Sequence, residues 1–218
     1  LEFSLDLPAY YKRLMELKEA YKDQISIRFG IEIGLQLHLG EYFHNLLRKY
    51  PFDFVIGSSH LVHGADPYYL EFFQGREEEQ AYREYFESIP ENLSAFDEMD
   101  TYGHLDYIVR YGPNQNRFYS YEKYQDILEA ILKKLIEKNV GLEVNTGGYH
   151  YGLGEPNPCT AIIRRYKELG GEIITIGADA HAPEKIGYDF DRAAQVLKEC
   201  GFEYYTVFKE RKPEFIRL

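Results

Sequence analysis

The chain has 218 residues, 44% hydrophobic and 28% charged, with 25 Lys plus Arg against 36 Asp plus Glu, a formal net charge of −11. That length suits one domain or a small pair, and the composition excludes collagen-like, low-complexity and disordered classes. The acidic balance repels a phosphate backbone and no run approaches the roughly 18 apolar residues of a membrane span, so neither nucleic acid nor a membrane is expected as a partner.

Short apolar, β-branched runs alternate with longer amphipathic ones. In chain order, the pattern predicts a strand at Ser26–Ile33 between helices at Ala9–Tyr21 and Gly40–Lys49. A strand at Phe54–Ser59 precedes a helix at Glu77–Ser88, and a strand at Gly103–Val109 precedes a helix at Tyr121–Lys138. Strands at Gly141–Asn145 and Ile173–Gly177 are followed by helices at Cys159–Leu169 and Phe190–Glu199, and a last strand is predicted at Tyr204–Phe208. The repeating βα unit predicts an α/β fold with a parallel sheet, open or closed into a barrel, because each crossover must return with the same hand. No linker divides the chain, so 1–218 is read as a single domain. Residues Gly147–Pro158 (GGYHYGLGEPNP) are punctuated by Gly and Pro and read as a loop at the carboxyl end of a strand, where such folds place their sites. Cys159 and Cys200 form no CxxC pair, so neither a disulfide framework nor a cysteine zinc site is expected, and a reducing cytoplasm fits best.

Polar groups collect at the predicted strand ends. Glu32 lies near the end of the first strand, His60 follows the second, His104 opens the third, Glu143 and Asn145 end the fourth, and Asp179 and His181 follow the fifth. A lone histidine at a strand end is usually a packing residue satisfied by a hydrogen bond, but five successive strands delivering such groups to one rim are not explained that way. Mixed imidazole and carboxylate ligands suit Zn, Mn or Fe, and two or more such ions can activate water and clamp a phosphoryl group. The residues by themselves therefore point to a multinuclear metallohydrolase. His38 and His44 read as solvated or capping residues and His63, three after His60, as a loop residue with polar neighbours rather than a ligand, whereas His150 faces the expected rim.

The segments GIEIG around Glu32, IGSSH ending at His60, GHLDYIVRYG with His104, LEVNTGG with Glu143 and Asn145, and IGADAHAPEKIG with Asp179 and His181 together resemble the histidinol-phosphatase branch of the polymerase and histidinol phosphatase (PHP) family. The resemblance runs from about Ala9 to the last residue. It implies a distorted (β/α)7 TIM-like barrel and a phosphomonoesterase that hydrolyses L-histidinol phosphate to L-histidinol and phosphate in histidine biosynthesis. It implies two or three divalent ions (Zn, Mn or Fe) with Glu32, His60, His104, Asp179 and His181 as ligands, and Asp179 and His181 as catalytic groups. Arg110, Asn145 and His150 become expected substrate contacts, since a guanidinium suits phosphate geometry. Two departures stand out. Family members begin with a strand bearing an HxH motif, and this sequence contains none, so the expected barrel lacks about two βα units, roughly 60 to 70 residues. Many members also carry an arginine where His150 stands. Another small phosphomonoester as substrate, or a binding module with impaired catalysis, remain open alternatives.

Overall fold

The computed structural model describes residues 5–218. Its centre is a parallel sheet of β1 (Gly30–Gly34), β2 (Phe54–Ser58), β3 (Thr101–Tyr102), β4 (Gly141–Asn145) and β5 (Ile174–Gly177), ordered β1-β2-β3-β4-β5. Spatial order follows chain order with no reversal. Right-handed crossovers that always advance in one direction place their connections on one face, as in the wall of a barrel rather than a doubly wound sheet. The α/β class and the βα repeat expected from the sequence are borne out, and closure of that wall into a barrel is not seen among the described residues.

Helix α1 (Leu7–Ala20) starts where the Asp6 carboxylate accepts the Ala9 N–H at 3.0 Å, with Pro8 in its first turn, a favourable pairing of cap and proline. Helix α2 (Gly40–Leu47) follows β1. Helix α3 (Glu78–Ala95) runs past the predicted end at Ser88 even though Pro90 lies inside it. Pro90 removes one helical hydrogen bond, but Tyr82, Tyr85, Phe86, Ile89 and Leu93 are all buried along the helix, and burial at roughly 1.5–3 kcal/mol per large apolar side chain outweighs that loss. Helix α4 (Gln125–Glu137) buries Leu128, Ile131, Leu132 and Leu135, the helical spacing read from the sequence. After β4 come the single turn α5 (Gly147–His150), then α6 (Thr160–Glu168) and α7 (Phe190–Glu199).

Three expectations need correction. The predicted strand Ser26–Ile33 begins only at Gly30, and residues 25–29 have no regular structure. The predicted strand Gly103–Val109 holds no strand residue: the two-residue β3 ends just before it, and a turn and a 3-10 helix over Tyr107–Arg110 take its place. Leu105, Tyr107, Ile108 and Val109 are all buried, so no alternation separates strand from buried turn there. The predicted last strand does form as β6 (Tyr204–Lys209), but it pairs antiparallel with an unpredicted β7 (Lys212–Arg217) in a separate two-stranded sheet.

That hairpin crosses the amino ends of the parallel strands. Ile174 N–H donates to Thr206 Oγ1 at 3.3 Å, the Phe208 ring stacks on Phe54 at 5.2 Å, Glu210 N–H donates to Asp53 Oδ1 at 3.0 Å, and Arg211 Nε donates to Asp100 Oδ2 at 2.6 Å. One end of the sheet is thereby covered, and the carboxyl ends are left for the polar residues.

Candidate active site

Glu32, in β1, points its carboxylate at two imidazoles: Oε1 lies 3.1 Å from His104 Nε2 and 3.4 Å from His60 Nε2. The Ser58 hydroxyl, at the end of neighbouring β2, donates to the same oxygen at 2.6 Å. Parallel register sets this up by pairing Gly34 with Ser58, so that Glu32 and the residues after β2 emerge at one rim. The two imidazole centroids are 5.0 Å apart, and Tyr107 meets the His60 ring edge-on at 4.9 Å.

His104 occupies an uncommon backbone position, φ +25°, and its N–H donates to Glu143 Oε2 at 2.9 Å. Glu143 is itself buried in β4 and takes a second hydrogen bond from Asn145 Nδ2 at 3.0 Å. A non-glycine residue held at positive φ is a local strain that the surroundings must hold in place. Here the Glu143 carboxylate does so, and it has room because β5 carries Gly177 beside it, where a Cβ would run into Glu143 Oε1.

Electrostatics fit this cluster to a cation. Burial alone would raise the Glu32 carboxyl, but the His104 hydrogen bond and the charges of His104 and His60 outweigh it and hold Glu32 well below the usual carboxylate range. Burial and the nearby His104 push His60 down to about 4, so its ring is neutral at pH 7 and free to coordinate. His104 is raised: burial lowers it, and the hydrogen bond and charge of Glu32 more than offset that. One ligand atom from each of Glu32, His60 and His104 falls within 4.8 Å of the others, and His104 Nδ1 is buried without a hydrogen-bond partner. Two imidazoles and a carboxylate at that spacing match the donor set of a borderline-soft divalent ion.

A second cluster lies beside it. Arg110 is buried and spends each nitrogen on a different partner: Nε donates to Asn157 Oδ1 at 2.8 Å, Nη2 to Asn145 Oδ1 at 3.0 Å, and Nη1 to Asp179 Oδ2 at 2.6 Å. Asp179 follows β5 with φ +52°. Burial would raise its carboxyl, but His104 and Arg110 charges together hold it below the usual value, so the two clusters share one electrostatic environment. Tyr107 and Tyr151 lie under the guanidinium at 5.6 and 5.0 Å.

Residues 4–147 match the PHP domain family. Along the whole chain, the histidinol-phosphatase of Lactococcus lactis is 32% identical over 213 residues, covering 97% of this chain and 79% of that protein. The chain belongs to the PHP domain family. A probable histidinol-phosphatase of Clostridium acetobutylicum is 29% identical over 97% of this chain and 80% of its own length. The crystal structure of the Lactococcus lactis histidinol phosphate phosphatase, complexed with Zn, L-histidinol and phosphate, superposes with a TM-score of 0.89 at 31% identity, covering 97% of this chain and 81% of that one.

Within this PHP domain the expected site residues separate into three groups. Glu32, His60 and His104 are brought together, and Arg110, Asn145 and Asp179 form the adjoining cluster. His181 and His150 stand apart. The His181 side chain is 82% exposed, with Nδ1 2.9 Å from the Asp179 carbonyl oxygen. His150, on α5, sits 3.0 Å from Lys185 Nζ through its Nδ1 and faces solvent. The reading from sequence assigned no role to Asn157, a fully buried residue whose amide contacts both Arg110 and Asp106. Its signal was an Asn set just before a proline in an otherwise mobile-looking Gly-rich run, which gives no hint of burial.

Proposed function

We propose that this chain is a metal-dependent phosphomonoesterase that hydrolyses L-histidinol phosphate to L-histidinol and phosphate. The observation that carries the reading is the meeting of the Glu32–His60–His104 cluster with the Arg110–Asp179 pair at a single strand-end rim. The Lactococcus lactis relative, bound to Zn, L-histidinol and phosphate, supports the same substrate.

Glu32, His60 and His104 would hold one divalent ion, and Asp179 and His181 would extend the set to a total of two or three ions of Zn, Mn or Fe. Such ions supply Lewis-acid polarisation of phosphoryl oxygens and a more acidic water. The chain's own groups do the rest. Arg110 has five N–H donors and uses three in its observed contacts, which leaves one on each terminal nitrogen for phosphate oxygens. Asn145 keeps Nη2 in place, and Asp179 or His181 orients the attacking water or protonates the departing alkoxide. The polar, aromatic-rimmed site suits a small molecule rather than a polymer, the single contiguous core fits one domain, and the two free cysteines fit a cytoplasmic setting.

Phosphate release from L-histidinol phosphate, measured with added Mn²⁺ or Zn²⁺ against an Asp179→Asn control, tests this reading. Turnover that disappears in the variant supports it. Full turnover in the variant would remove Asp179 from the mechanism, and turnover of other phosphomonoesters but not this one would reassign the substrate.

A further inference from the structure

The guanidinium of Arg110 can serve a phosphate only if its free N–H groups face the site, and nothing in Arg110 itself sets that. Asp179 and Asn145 each hold one terminal nitrogen, which leaves Nε as the third point that fixes the guanidinium plane. Asn157 holds it. Its side chain is completely buried, Oδ1 accepts Arg110 Nε at 2.8 Å, and Nδ2 donates to Asp106 Oδ1 at 2.6 Å.

The orientation of that amide is not arbitrary. Asp106 is buried and also accepts the Cys159 N–H at 2.9 Å and the Tyr119 hydroxyl at 3.3 Å. Being pinned on three sides as an acceptor, it faces the donor end of the Asn157 amide, and the carbonyl end is then forced towards Arg110. The backbone fixes the remaining freedom: Asn145 N–H donates to Asn157 O at 2.8 Å and Asn157 N–H to Asn145 O at 2.9 Å. The two amides that flank the guanidinium are thereby held at a set separation, one on Nε and one on Nη2.

We infer that Asn157, anchored by Asp106, is a positioning residue that aims Arg110 at the phosphate of a phosphomonoester. It touches neither substrate nor metal and acts through Arg110 Nε. The inference rests on the phosphatase reading for the identity of the anion, so its test uses inorganic phosphate binding, which needs no turnover. Failure to hydrolyse L-histidinol phosphate would therefore count against the proposed function and leave this test intact.

The experiment is a double-mutant cycle in the metal-loaded protein. Lysine keeps a cation but has no Nε donor for Asn157. Asn157→Ala should weaken inorganic phosphate binding, measured by calorimetry, by about tenfold, the scale of a hydrogen bond to a charged group. In an Arg110→Lys background the same substitution should change it less than twofold, with bound metal per chain unchanged throughout. Equal losses in both backgrounds, or undiminished binding in Asn157→Ala, would overturn the inference. Because the alanine variant could lose its fold, a second measurement uses the unsubstituted, metal-free protein. The Arg110 Nε–H resonance, assigned by its disappearance in Arg110→Lys, should be protected from solvent exchange, and exchange at the rate of a free arginine would equally overturn it.

Discussion

Arg110 Nη1 donates to Asp179 Oδ2 at 2.6 Å where the connections after β3 and β5 converge, with side-chain exposures of 1% and 15%. Removing either charge strands the other in a largely desolvated position. Breaking such a pair costs about 3–5 kcal/mol, so Arg110→Ala should lower unfolding stability by about that much and also abolish phosphate binding. Adding Asp179→Asn to it should return part of the stability, because the stranded carboxylate is then neutral. Denaturant unfolding of the four proteins of this cycle checks the sign, and purely additive losses would contradict the pairing.

Glu32 touches both imidazoles and is the centre of the proposed ion-binding cluster. Glu32→Gln removes the negative charge but keeps the shape. Elemental analysis should find less metal per chain, and added Zn²⁺ should no longer raise the melting temperature as it does by mass action in the parent protein. A variant that retains its full metal load would show that the ions sit elsewhere.

Asp106 titrates at about 6 because burial raises it, against partial opposition from its Asn157 and Cys159 hydrogen bonds. A carboxyl whose folded value lies above the unfolded value of about 3.9 holds its proton better in the fold. Its contribution to stability therefore grows as pH falls from about 7 to about 4, and is lost as pH rises through 6. Two pKa units correspond to about 3 kcal/mol. The stability of the parent protein relative to Asp106→Asn should shift in favour of the parent by up to that amount between pH 7 and pH 4. A difference that stays flat across the range would mean that this carboxyl ionises normally.

Gly177→Ala places a methyl group against Glu143 Oε1. Glu143 must move, and the His104 N–H loses the acceptor that holds its positive-φ backbone. Strain of about 1–3 kcal/mol is expected, with activity down at least tenfold. Unchanged kinetics would show that the β4–β5 spacing adjusts without disturbing His104.

Arg211 is the counter-example, since it lies at the opposite end of the sheet from the polar rim. It donates to the buried Asp100 at 2.6 Å and to the Glu98 carbonyl oxygen at 2.7 Å. Arg211→Ala leaves the buried Asp100 carboxylate with the Val55 N–H but no countercharge and should cost about 2 kcal/mol with kcat unaltered. A fall in kcat at full folding would connect the two ends of the sheet in a way these contacts do not.

The sequence made the parallel strands legible wherever a short apolar run ended at a polar residue, as in Phe54–Ser58 and Gly141–Asn145, and the helix Phe190–Glu199 matched to the residue. It misled at Gly103–Val109, because a buried turn and a buried strand have the same composition once both faces are covered. Of the expected site, the Glu32, His60 and His104 cluster was visible because each residue lies in or next to a short apolar run of the repeat. Asn157 was hidden because its importance lies in two partners distant in sequence, Arg110 and Asp106, and no local pattern encodes such a contact. β7 was hidden for a different reason: all six of its residues are exposed, so no buried face imposed a period.

The hairpin of β6 and β7 also sets an order of events in the life of the chain. Its links to Asp53 and Asp100 span 157 and 111 residues, the kind of distant closure that slows folding. On the ribosome, every strand of the parallel sheet emerges before the segment that seals its amino end. Nascent β1 to β5 must therefore wait with Asp53 and Asp100 lacking their final partners, and trimming the hairpin would keep the chain in that unfinished state.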